Sequence, residues 1–104
     1  MQQLKNDKDM RVDFNRPFKG YDGRELTGNN IAMSVAEALF NYGMDKPVSR
    51  EEKFKAYVLF QKIVQSGGVL NLESEDVTLI KEVCGESLTA GGYGQVYELV
   101  ERKE

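Results

Sequence analysis

The side chains that most often carry out chemistry are scarce in this sequence of 104 residues. It has no histidine and a single cysteine, Cys84. Histidine is the usual general base near neutral pH and the commonest zinc ligand, so both roles lack their usual residue. Cys84 ends an apolar-periodic segment that starts at Val77, and Glu82 and Glu86 are close in sequence. A reactive thiolate needs a positive neighbour or a helix N-terminus, so we expect a buried, inert thiol.

Two other patterns could hold a metal ion or a phosphate. Carboxylates are grouped at Glu51-Glu52 and at Glu75-Asp76, but both groups fall at predicted helix starts, where caps and the helix dipole explain them. Gly91-Gly92-Tyr93-Gly94 precedes a predicted helix, whose N-terminus could bind an anion. That cluster lacks the Gly-Lys-Ser/Thr ending of a Walker loop. We therefore predict no enzyme, no metal and no cofactor, and keep a small-ligand-sequestering protein using residues 89–95 as an alternative.

Charge is unevenly distributed along a chain whose net charge is −3. Residues 1–24 carry six basic and four acidic side chains, whereas residues 73–104 carry eight acidic and three basic ones. The acidic end could attract the basic end, present a patch to a basic partner, or simply be solvated. The chain contains no apolar run of the roughly 20 residues that a membrane span needs, and its start does not resemble a secretory signal. We therefore expect a cytoplasmic protein with no membrane contact.

The pattern of apolar residues predicts a flexible segment over 1–10 and a single globular domain over 11–104. Residues 11–15 alternate between polar and apolar, which is typical of a half-buried strand. Asp22-Gly23 favours a tight turn, so we expect a hairpin that returns through Thr27, with a third short strand near 69–72. The predicted fold class is α+β, a small N-terminal β-hairpin packed on about four helices.

Capping residues place the four helices. They predict helices over about 31–42, capped by Asn29 or Asn30, and over 50–65, with a capping box at Ser49. A third helix should run from a cap at Ser74 to Gly85, and a fourth should include residues 95–100. The first of these helices is apolar around most of its circumference, so we expect neighbours on several sides of it. The predicted core residues are Val12, Phe14, Leu39, Phe40, Leu59, Phe60, Ile63, Leu72, Ile80 and Val96.

The helix over 50–65 has more apolar surface than one contact can cover. Its main apolar face is formed by Ala56, Tyr57, Leu59, Phe60, Ile63 and Val64. Phe54 and Val58 fall outside that face, beside Gln61 and Gln65. Either the helix lies centrally in the domain, or these four residues contact a partner. They are the candidate partner interface, and the partner is either a second copy or another protein.

The N-terminal segment offers a candidate nucleic-acid contact. Arg16, Lys19 and Arg24 alternate with aromatic residues that include Phe14 and Phe18. Exposed aromatic rings between cations can stack on bases. The alternative is that both phenylalanines face the core while the charges are solvated.

Three stretches resemble small proteins encoded by bacteriophages and prophages. They are residues 13–20 with Asp22-Gly23, residues 55–63 continuing through 72–77 to Ile80-Lys81, and residues 94–99. The resemblance implies an accessory role inside a bacterial host and assigns no functional residues. The predicted function is therefore that of a non-enzymatic phage-type accessory protein that binds a host or viral protein, able to form a homo-oligomer. A nucleic-acid-binding regulator remains an alternative.

Overall fold

A computed structural model describes residues 10–101 of the chain. In chain order the elements are β1 (Met10–Asp13), β2 (Pro17–Lys19), β3 (Glu25–Asn30), α1 (Ile31–Phe40), α2 (Arg50–Gln65), β4 (Val69–Leu72), α3 (Ser74–Ser87) and α4 (Ala90–Glu101). The predicted α+β class is confirmed, with its hairpin, its extra strand near 69–72 and its four helices. The predicted flexible segment lies outside the described residues, except for Met10, which begins β1.

The strand pairing differs from the predicted hairpin. β1 pairs antiparallel with β4, so that Val12 lies opposite Leu70, while β2 and β3 form a separate antiparallel pair. The chain leaves β1 in a tight turn, because the backbone N–H of Arg16 donates to the carbonyl of Phe14 at 2.8 Å. The hairpin therefore starts only at β2. Its turn lies where Asp22-Gly23 predicted it, with Gly23 at φ 85°.

Helix α1 starts at its predicted cap, since the side chain of Asn30 accepts the N–H of Met33 at 3.3 Å. It ends at Phe40, two residues earlier than predicted. Val35 and Leu39 are among its buried residues, whereas Met33 and Phe40 are exposed. The expectation that α1 is covered on several sides is wrong for the side that carries Met33 and Phe40.

Helix α2 has the predicted bounds, and Ser49 Oγ accepts the N–H of Glu52 at 3.1 Å. Only one side of it faces the core, where Ala56, Leu59 and Ile63 are buried. The alternative that places α2 centrally in the domain is therefore wrong. Its main apolar face divides between the core and the solvent.

Helices α3 and α4 differ from the prediction at their ends. The cap of α3 is Glu73, whose backbone N–H donates to the Asp76 carboxylate at 3.0 Å, and the helix continues through Gly85 to Ser87. The glycine cluster lies inside α4 instead of in a loop before it. Gln95 fastens α4 to β2, accepting the backbone N–H of Lys19 at 2.8 Å and donating to its carbonyl at 2.9 Å.

The core lies between the four helices and the two strand pairs. Eight of the ten predicted core residues are buried; Phe60 is half-buried and Phe40 is exposed, so the prediction for Phe40 is wrong. Phe14 contributes a fully buried ring, and its backbone links three segments, with Gly68 and Ala32 as partners. No helix among residues 10–101 is long and apolar enough to cross a membrane.

Candidate functional site

A continuous apolar surface covers the outer side of the two adjacent helices α1 and α2. We call it the apolar face, and its members are Met33, Phe40, Phe54, Tyr57, Phe60 and Val64. Five of these side chains are between 45 % and 70 % exposed, and Phe60 is half-buried between them. Single exposed apolar residues are ordinary on protein surfaces, whereas a contiguous group of this size usually marks an interaction site.

Aromatic rings make the apolar face continuous across both helices. The centroids of Phe54 and Tyr57 lie 6.2 Å apart, and those of Tyr57 and Phe60 lie 6.1 Å apart. Phe60 then meets Phe40 of α1 edge to face at 5.1 Å. These distances fall in the range of attractive ring pairs, so the rings hold one another in place while their outer surfaces stay exposed.

A groove between α1 and α2 lies under part of the apolar face. Its volume is about 800 Å³. Met33, Phe40, Phe60 and Val64 line it, and Ile63 also contributes. Asn15, Asn30 and Asn41 contribute polar groups to the same lining, and Asn30 donates to Asn15 at 3.0 Å. An apolar centre surrounded by a polar rim is the usual arrangement of a protein–protein contact.

The charges next to the apolar face differ in sign between its two ends. Glu37 of α1 lines the groove. Lys53 lies near the other end, beside Gly43, since its side chain is 3.1 Å from the point that a Cβ on Gly43 would occupy. The aromatic pair of Phe40 and Phe60 lies between them. The face is therefore apolar in the middle, acidic towards one end and basic at the other.

The four residues of the predicted partner interface follow one another at steps of four, three and four residues along α2, so they lie on one stripe of the helix. Phe54 and Gln65 are exposed, while Val58 and Gln61 are half-buried. Gln61 donates a hydrogen bond to the hydroxyl of Tyr57 at 3.2 Å, which places it next to the apolar face. Phe54 and Val58 also line a smaller groove of about 530 Å³ between α2 and α3. The stripe borders the apolar face and shares only Phe54 with it.

Sequence reasoning missed most of the apolar face. Phe40 and Phe60 were expected in the core, and Tyr57 and Val64 were assigned to the buried side of α2. The signal that could have found them is α1, whose apolar residues cover most of its circumference. A helix apolar on nearly every side either has several neighbours or exposes apolar surface, and here the second case holds for Met33 and Phe40.

Two of the three cations of the predicted nucleic-acid contact, Arg16 and Arg24, lie close to acidic residues of the same chain. Phe14 and Phe18 are buried, so neither can stack on a base. Arg16 donates to the carbonyl of Asp13 at 3.0 Å, with a second nitrogen 3.7 Å from its carboxylate. Arg24 lies 3.7 Å from the carboxylate of Asp22. Lys19 and Arg24 are exposed in the hairpin, with the fully exposed ring of Tyr21 between them in sequence. Of the predicted row of cations and rings, the structure therefore leaves only this one exposed ring between two cations.

The acidic groups and the glycine cluster have structural partners. Glu52 and Glu73 take part in helix caps. The Tyr42 hydroxyl lies 3.1 Å from Glu82 and 3.4 Å from Glu52, and burial together with Glu82 raises the pKa of Tyr42 above its usual value. Within residues 10–101 no three histidine, cysteine or acidic side chains are grouped so as to hold a metal ion. Residues 90–95 form the first turns of α4, so the glycine cluster is helical and does not form the loop that the glycine pattern predicted.

In comparisons with known proteins, the chain matches no protein-family model, no curated protein and no solved structure. The apolar face is the candidate site on the geometry of the chain itself.

The single thiol gives a pH-dependent stability that can be measured. Cys84 is fully buried, and burial raises its pKa to about 12. An unfolded cysteine has a pKa of about 8.5, so above that pH the unfolded state binds fewer protons than the folded state and the free energy of unfolding falls. We expect urea unfolding to show a loss of about 2 kcal/mol between pH 8 and pH 10, at about 1.4 kcal/mol per pH unit above 8.5.

The matched control is Cys84→Ala, which keeps the helix and removes the titrating group. Its stability at pH 8 should be lower, but its loss between pH 8 and pH 10 should be smaller than that of the wild type. Equal losses in the two proteins would show that the thiol ionises as readily in the folded state as in the unfolded state.

Proposed function

We propose that this protein is a non-enzymatic accessory protein of the phage or prophage type, which acts by binding protein through the apolar face of α1 and α2. The observation that carries the proposal is the contiguity of the face, a chain of four rings flanked by Met33 and Val64 above an open groove. The phage assignment is supported by the sequence resemblance alone. The proposed location is the cytoplasm of the bacterial host.

The size of the apolar face supports a role in binding. A fully buried aromatic side chain removes roughly 150–250 Å² from water, so the exposed fractions here correspond to about 600 Å² of apolar surface. The largest patch on a typical monomer is roughly 300–600 Å² and is often functional. Tyr, Phe and Met, which supply most of the face, are also residue types enriched at protein interfaces.

Site-specific cross-linking in bacteria tests this proposal. A photoreactive benzoyl-phenylalanine is placed at Met33 or at Val64, and irradiated cells are analysed for adducts of the chain. We expect discrete adducts with protein from both positions, because a bound partner lies within reach of both side chains.

The control places the same photoreactive residue at Glu98, which is exposed on α4 and lies outside the apolar face. It should give no comparable adduct. Absence of adducts from both face positions, or equal adducts from Glu98, would refute the face as a binding surface.

A further inference from the structure

The apolar face has features that favour one particular occupant. Two charged residues of opposite sign lie next to it, with Glu37 on one side of the central rings and Lys53 on the other. No ion pair joins Glu37 or Lys53 to another side chain within residues 10–101. A partner that fits this face therefore presents an apolar middle, a basic group opposite Glu37 and an acidic group opposite Lys53.

A second copy of the same face presents this pattern once it is rotated by 180°, because its Lys53 then lies opposite Glu37 and its Glu37 opposite Lys53. We propose that the occupant is a second copy of this chain, docked face to face about a two-fold axis that lies in the interface, runs across α1 and α2 and passes near Phe40 and Phe60. The inference rests on the proposed function, since it names the partner of the same surface. In a two-fold interface each contact occurs twice, so Glu37 of each copy lies opposite Lys53 of the other.

The direction of docking follows from the antiparallel course of α1 and α2. Ala32, at the start of α1, lies beside Gly68 after the end of α2, whereas Gly43, after α1, lies beside Lys53 near the start of α2. A two-fold axis parallel to the helices would bring Glu37 to the level of Glu37 and Lys53 to the level of Lys53. Like charges that face each other across an interface are unfavourable, so the axis that runs across the helices is selected.

The area of the face also suits a pair of copies. A standard interface removes about 800 Å² from water on each partner, and the apolar face supplies about 600 Å² before its polar edge is counted. Asn15, Asn30 and Asn41 line the groove beside the face and add hydrogen-bonding groups to it. The face therefore supplies most of what a homodimer needs.

The test measures the oligomeric state of the full chain by light scattering and sedimentation over a range of concentrations. The wild type should be a dimer. The double variant Met33→Lys with Val64→Lys should raise the dimer dissociation constant at least about 30-fold, because four buried ammonium groups would lie in the interface. Tyr21→Lys is the matched control, since Tyr21 is a fully exposed aromatic residue on the hairpin, and it should dimerise as the wild type does.

A charge exchange tests the two-fold geometry. E37K alone and K53E alone should each raise the dissociation constant about tenfold, since each creates two pairs of like charges. An equimolar mixture of the E37K and K53E proteins should form a heterodimer as tight as the wild-type dimer, because every pair across the axis is then of opposite sign. Circular dichroism confirms that each variant is folded.

The outcomes separate this inference from the proposed function. A wild type that is monomeric at about 100 μM, a dimer that Met33→Lys with Val64→Lys leaves intact, or a mixture that does not recover would each overturn the two-fold homodimer. If the chain is monomeric but Met33 still cross-links to a different protein, the proposed function stands and the second copy is excluded. If neither dimer nor adduct forms, both are overturned.

Discussion

Replacing Phe14 by alanine is expected to lower the free energy of unfolding by about 4 kcal/mol, as measured by urea denaturation. The ring of Phe14 is fully buried in the core, so the substitution removes its transfer free energy and leaves a cavity. Its backbone donates to the carbonyl of Gly68 at 2.8 Å and accepts from the N–H of Ala32 at 2.9 Å. The cavity therefore opens where β1, α1 and the end of α2 are held together, and collapse around it is restricted.

Tyr21→Ala is the control for the loss of an aromatic ring, because Tyr21 is fully exposed and we expect a change within about 0.5 kcal/mol. A domain of this size has roughly 5–15 kcal/mol of stability in total, so Phe14→Ala could abolish folding at low stability. If Phe14→Ala does not fold, the free energy of unfolding of Phe14→Leu is measured instead, with an expected loss of about 1.5 kcal/mol. Equal stability of Phe14→Ala and Tyr21→Ala would contradict the placement of Phe14 in the core.

Local capping and turn chemistry made much of the fold predictable. The starts of α1 and α2 followed from Asn30 and Ser49, and the turn of the hairpin followed from Asp22-Gly23. These features depend on hydrogen bonds between residues two or three positions apart, so the residue types that make them are visible in the sequence. The end of α3 was not predictable in this way, because Gly85 remains helical and the ring of Tyr93 from α4 packs against it.

Contacts between distant segments account for the errors in the strands and the core. β1 pairs with β4, so that Met10 lies opposite Leu72, and no local pattern specifies such a partner. Phe40 was predicted to be buried because its type and spacing fit a core position. Burial depends on how many neighbours surround a helix, and α1 lacks one on that side within the described residues. The candidate site was missed for the same reason, because the same pattern of apolar residues occurs at core positions and on surfaces that bind a partner.

Gly68→Ala is expected to lower the free energy of unfolding by about 3 kcal/mol, and the adjacent substitution Gly67→Ala by about 1 kcal/mol. Both glycines have positive φ, 92° and 71°, and both end α2, where Gly68 donates to Ile63 and Gly67 donates to Val64. A Cβ on Gly67 would meet nothing within 4 Å, so only the backbone conformation is penalised.

A Cβ on Gly68 would lie 3.1 Å from the Cβ of Ala32 and 3.3 Å from the backbone N of Asn15. Neither neighbour can move easily, because the carbonyl of Gly68 accepts the N–H of Phe14 and the N–H of Ala32 donates to the carbonyl of Phe14. Both variants carry the cost of a positive φ. The difference between their free energies of unfolding therefore measures the close approach of three segments at Gly68. Urea denaturation of the two proteins side by side measures it. Equal losses would show that the end of α2 does not pack closely against β1 and α1. Gly67 and Gly68 also line the groove beneath the apolar face, so that groove would then have a different shape.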